Sequence, residues 1–157
     1  MKKITVFKKS AIAENIATGI KGAIIMIDFQ SENTIHYLIQ PKGLDSKGEP
    51  FKPIWTLSNL VKCKETEELD VPVEILRTKV KDKITGFSGL ATSITYHISG
   101  CIHVTITAKS SDNSLSAYEC SITRCEGPAI KKMTEKEIKK ERAERPSPAG
   151  SSFRFEK

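Results

Sequence analysis

No apolar run in this 157-residue chain is long enough to cross a bilayer as a helix, and no secretory signal is read at its start. The four cysteines, Cys63, Cys101, Cys120 and Cys125, are therefore expected as free thiols in a reducing cytoplasm, with no membrane attachment. The chain also lacks a Cys-x-x-Cys knuckle, paired carboxylates and a serine-hydrolase elbow. The expectation is a protein with no catalytic residues, no cofactor and no metal. One soft-ligand set has the donor types that zinc takes: Cys101-x-His103 with Cys120 and Cys125, and His97 close by. Its spacing argues against a site, because Cys120 and Cys125, five apart on or near one strand, should point to opposite faces. Basic charge is scarce over most of the chain. Of the formal +6, residues 131–157 hold a surplus of four, with nine Lys/Arg against five Glu, so residues 1–130 carry only +2. A broad nucleic-acid face on the globular part is not demanded.

What the chain does have is a repeat. Residues 17–45 align without a gap on residues 84–112, at an offset of 67, with nine of 29 positions identical. The identities are Thr18/Thr85, Gly19/Gly86, Gly22/Gly89, Ile27/Ile94, Ile35/Ile102, His36/His103, Ile39/Ile106, Lys42/Lys109 and Asp45/Asp112. After a five-residue contraction the match resumes with Leu60 on Ile122 and Cys63 on Cys125. The two halves are thus a tandem pair of small β units. At about 55–65 residues each, units of this size bury too little surface to stand easily alone, so they should pack together.

The fold class predicted is mainly β: two duplicated small β-barrel units followed by a C-terminal helix and tail. Residues 1–63 form the first unit, 64–70 a linker, 71–128 the second unit, and 129–157 a basic helix and tail. In the first unit Ile4–Phe7 opens as a strand, a polar connection runs from Ser10 to Ala17, residues 22–29 and 34–40 form a hairpin, and residues 54–61 give a closing strand. The second unit repeats the plan, with strands at 73–80, 89–97, 101–108 and 115–124. The paired Thr-Gly-x-x-Gly elements read as structural glycines, since β-forming sequence rather than a helix follows them. Thr134 to Glu137 has the pattern of a capping box opening a charged helix over 135–145, and Phe153 and Phe155 close the chain.

The run Lys79-Val-Lys-Asp-Lys-Ile-Thr-Gly-Phe-Ser-Gly-Leu-Ala-Thr, followed by Ser99-Gly-Cys101, resembles short, uncharacterised phage and prophage proteins with an Asp-x-Ile/Val-Thr-Gly-Phe-x-Gly signature and a Gly-Cys hairpin. The first unit carries a further element of that pattern as Gln40-Pro41, with Pro53-Ile-Trp55 downstream. It departs from it where Asp82 is matched by Asn15, Phe87 by Ile20, Cys101 by Thr34 and Trp55 by Ala117. The resemblance covers most of residues 14–126. It implies a phage origin and SH3-like units, and no mechanism.

Function is expected to be binding. The first reading is a non-catalytic accessory protein acting in the host cytoplasm on a host or phage protein complex, for counter-defence or host takeover, through Phe51, Trp55, Tyr37, Phe153 and Phe155. The second is nucleic-acid binding through Lys131, Lys132, Lys136, Lys139, Lys140, Arg142 and Arg145, with Tyr37, Trp55 or Tyr96 stacking on bases. The third is a virion structural or decoration protein, with self-association permitted. The repeated His36 and His103 are read as partly buried strand residues in equivalent surroundings.

Overall fold

A computed structural model describes residues 1–144. Twelve strands and one helix follow in the order β1 (Lys2–Phe7), β2 (Ile12–Asn15), β3 (Ile20–Phe29), β4 (Ile35–Pro41), β5 (Ile54–Leu57), β6 (Val61–Cys63), β7 (Thr66–Val71), β8 (Lys79–Asp82), β9 (Ser88–His97), β10 (Ile102–Lys109), β11 (Leu115–Ser121), β12 (Cys125–Glu126) and α1 (Pro128–Glu144). The protein is mainly β, as the sequence predicts.

The repeat is visible in the pairing. The first unit runs β6-β2-β3-β4-β5 and the second β12-β8-β9-β10-β11, all antiparallel. A one-turn 3-10 helix precedes the last strand of each, at Ser58–Leu60 and Ile122–Arg124. Both long strands carry a bulge at the same repeat position, Ile25 in β3 and Thr92 in β9. A bulge re-phases the two-residue alternation. Hence Ile24 and Ile27 are both buried, as are Ala91 and Ile94, three positions apart instead of two or four.

The units are not separate. β3 pairs with β2 along its first half and with β9 along its second, so ten strands form one sheet that does not close. In that junction Asp28 lies opposite Thr95, its own repeat equivalent, and accepts a 2.8 Å hydrogen bond from the Thr95 hydroxyl. The equivalent aromatics Phe29 and Tyr96 meet edge to face, with centroids 5.6 Å apart and planes at 77°. The two halves therefore face each other about a local two-fold axis. β1 and β7 pair in a second, two-stranded sheet, and a single core takes side chains from both sheets and both units.

Several expectations give way here. β2 lies inside the polar connection expected from Ser10 to Ala17; its inward residues, Ala13 and Asn15, are too small or polar to show a hydrophobic period. Residues 66–70 of the expected linker, with Val71 beyond it, form β7. The opening strand expected over 73–80 is a 3-10 turn at Val73–Ile75 followed by β8, which matches β2 at the offset of 67. The contraction is three residues rather than five. Leu57 lies opposite His36 as Ser121 lies opposite His103, and Val61 opposite Asn15 as Cys125 opposite Asp82, which sets the closing strands at an offset of 64. Cys125 thus replaces Val61, and Trp55 is matched by Glu119, not Ala117. With no identity between Asp45 and the end of the repeat, a lone cysteine match set the wrong register.

The helix also begins earlier than its capping pattern suggests. Pro128 starts α1, where a missing amide hydrogen costs nothing, and the Thr134 hydroxyl bonds back to the Ile130 carbonyl inside the helix. Ala129, Ile130 and Met133 dock on the core, and this contact decides where the helix forms.

Candidate functional site

The repeated turn has a structural purpose in both halves. Asn15 and Asp82 end β2 and β8, and their side-chain oxygens accept bonds from the amides of Ala17 and Ile84 two residues on. Gly19 and Gly86 then take φ of +74° and +78°. Gly22 and Gly89 sit where a Cβ would lie 2.1 Å from the Gln40 carbonyl oxygen and 2.3 Å from that of Thr107. In the second unit Asp82 is fully buried and ion-paired with Arg124, whose Nη2 stands 2.7 Å from Oδ2 and whose Nε stands 3.1 Å from Oδ1. Burial pushes the Asp82 carboxyl up, but the bonds from Thr85, the Ile84 amide, Arg124 and Tyr118 outweigh it and hold the group well below the carboxylate range. These groups satisfy one another and leave nothing over for a ligand.

Solvent-facing chemistry differs between the units at matched positions. On the edge strand β5, Trp55 and Leu57 alternate outward and are 50% and 39% exposed, while Thr56 between them is buried. Phe51, 43% exposed, and Leu44 stand on the loop that enters this strand, where the Gln40 side chain holds the Phe51 carbonyl at 2.7 Å. In the second unit the positions of Trp55 and Leu57 carry Glu119 and Ser121.

Glu119 is part of a cluster. Its Oε1 lies 2.7 Å from His103 Nδ1 and 3.4 Å from His97 Nε2, and the two imidazoles have centroids 4.4 Å apart. Strands β9, β10 and β11 contribute one residue each. The β9–β10 hairpin sets Thr95 opposite His103, so His97 falls diagonally beside it; Ser121 lies opposite His103 on the other side, so Glu119 is the diagonal neighbour there. The equivalent trio in the first unit is Gln30, His36 and Trp55, and the buried His36 Nδ1 has no hydrogen-bond partner. The surroundings of His36 and His103 are thus not equivalent, contrary to the sequence expectation.

The soft ligands Cys101, His103, Cys120 and Cys125 do not assemble into one site. Cys101 is exposed, whereas Cys120 and Cys125 are buried with their Sγ atoms 3.4 Å apart. They do not point apart, because the 3-10 turn at Ile122–Arg124 folds β12 back. Burial, then the contact with Cys120, pushes the Cys125 thiol up to about 12. Sequence reasoning placed His97 near His103 but missed Glu119, since the register of β11 was not anchored by any identity.

Of the expected partner-binding residues, Tyr37 is in the core, 2% exposed, with its hydroxyl accepting the Phe7 amide at 3.1 Å. Tyr96 is likewise buried, its hydroxyl donating to the Asp70 carbonyl at 2.8 Å, so neither ring is available for stacking on a base. Phe51 and Trp55 remain on the surface. Lys131, Lys132, Lys136, Lys139, Lys140 and Arg142 are exposed on α1. Beside that helix, Lys79, Lys81 and Lys83 join Lys131 along a groove of about 770 Å³ that also holds Glu135 and Glu126, the latter 4.0 Å from Lys81. Arg145, Phe153 and Phe155 lie outside the described residues. No helix among the described residues is long and apolar enough to cross a membrane. No known family model, curated protein or solved structure matches the chain.

Proposed function

We propose that the protein is a phage-encoded, non-catalytic accessory protein that acts in the host cytoplasm by binding a host or phage protein complex, with the apolar edge of its first unit as the contact surface. The observation that carries this reading is the difference between the repeats. Trp55 and Leu57 occupy solvent-facing positions that the second unit fills with Glu119 and Ser121, so the scaffold does not require apolar residues there. A half-exposed Trp on the strand entered by a loop that bears exposed Phe51 and Leu44 is the composition of an interface anchor. The five-strand order of each half, the bulged long strand and the 3-10 turn before the last strand support reading each as an SH3-like unit, joined to its twin through β3 and β9.

The test is affinity capture from a phage-infected host lysate with wild type and with the double variant Trp55→Glu, Leu57→Ser, which installs residues the fold already accepts at those positions. A stoichiometric, nuclease-resistant protein lost by the variant, at an unchanged melting temperature, is the result expected. Recovery of the same proteins by both would overturn the assignment. A second reading, nucleic-acid binding, draws on the exposed lysines of α1 and on Lys79, Lys83 and Lys131 along the groove between β8 and α1. It requires affinity that falls steeply with salt and with deletion of residues 131–157.

A further inference from the structure

We propose that His97, His103 and Glu119 form a binding site for a late first-row divalent cation of the zinc class. The donor set is two imidazole nitrogens and one carboxylate oxygen, all within 4.8 Å of one another. Such a set matches borderline-soft ions, which take His and Glu together, and not calcium or magnesium, which are held by oxygen cages.

Spacing agrees with that chemistry. Two ligands on one tetrahedral zinc stand about 3.3 Å apart, given metal bonds of about 2.0–2.1 Å. The separation of His97 Nε2 from Glu119 Oε1 is already 3.4 Å. The 2.7 Å contact of His103 Nδ1 with the same oxygen is a hydrogen bond. It has to open by roughly 0.6 Å when an ion takes the place of the shared proton. Glu119 is free to move that far, with its side chain 47% exposed, while the imidazoles, at 18% and 30%, are held more firmly on paired strands. The three side chains leave a fourth coordination position to water.

The comparison within the chain removes the plainest alternative, that the trio is needed to hold the sheet. The first unit builds the same hairpin and the same third strand with Gln30, His36 and Trp55 at these positions. The acid beside two histidines is particular to the second unit, as the exposed Trp55 and Leu57 pair is to the first. The duplicated scaffold thereby presents two different recognition chemistries at one matched location. This inference does not depend on the protein-binding reading.

Isothermal titration of the full chain, thiols reduced, with zinc chloride tests it. Wild type is expected to bind one zinc per chain in the micromolar range or tighter, and zinc to raise its melting temperature. His97→Gln, which copies the first unit, and Glu119→Gln should each weaken binding at least tenfold with the metal-free melting temperature unchanged, and Cys101→Ser should bind as wild type. Absence of saturable binding, wild-type affinity in both His97→Gln and Glu119→Gln, or affinity lost only in Cys101→Ser would each overturn the site.

Discussion

Truncating Phe29 tests whether the two repeats are one folding unit. The ring is fully buried at the junction, opposite Ile35 in β4 and Ile94 in β9, and meets Tyr96 of the other unit edge to face. Phe29→Ala therefore removes a full aromatic burial, about 3–5 kcal/mol. The lost ring contact, worth about 0.5–1.5 kcal/mol, places the cost toward the upper end. Against a total of about 5–15 kcal/mol this is a large fraction of the stability, and a fall in melting temperature on the order of 10 °C follows. Trp55→Ala on the half-exposed edge should cost only about 1 kcal/mol. The assay is urea unfolding of Phe29→Ala followed both by Trp55 fluorescence, which reports the first unit, and by far-ultraviolet circular dichroism, which reports both. Because the core is shared, the midpoint should drop while the two probes stay coincident. Two separated transitions, or a loss below about 1 kcal/mol, would refute the shared-core argument.

Two further outcomes follow from the second unit. The Asp82 carboxyl is held below its ordinary 3.8, so the stability it contributes is complete above that value and is lost as pH falls toward the depressed folded value. The wild-type melting temperature should fall through that window, whereas Asp82→Asn, which copies Asn15, should start lower and follow a flatter profile; parallel profiles would count against the ion pair with Arg124. Iodoacetamide at mildly alkaline pH should label exposed Cys101 quickly and leave Cys120 and Cys125 unmodified, since both are buried and the Cys125 thiol is pushed up to about 12. Peptide mass spectrometry reads the sites, and labelling of Cys125 as fast as Cys101 would contradict that burial.

Local chemistry was legible wherever a residue type has one dominant use. Gly19 and Gly86 announced turns, and in the structure both have positive φ; the hairpins around residues 30–33 and 99–100 fell where turn residues interrupt β-branched runs. Short strands were not legible. β2 offers Ala13 and Asn15 to the interior, and β7 alternates charged residues with few apolar ones, so neither has a hydrophobic period to read. Tyr37 lies in the core rather than at a contact surface for a related reason: an aromatic on a strand points to one of two faces, and which of them is covered depends on what packs there, here Phe7.

By itself the sequence determined the duplication, the β character and the conformation of the turns, because these depend on residues close along the chain and on the backbone freedom of particular side chains. Tertiary structure alone decided the rest. Whether the halves stand apart or merge is fixed by the pairing of β3 with β9, in which Asp28 meets Thr95 across 67 residues. The same holds for the site. His97, His103 and Glu119 converge only because three strands pair in one register, and a shift of one residue in β11 would turn Glu119 to the opposite face.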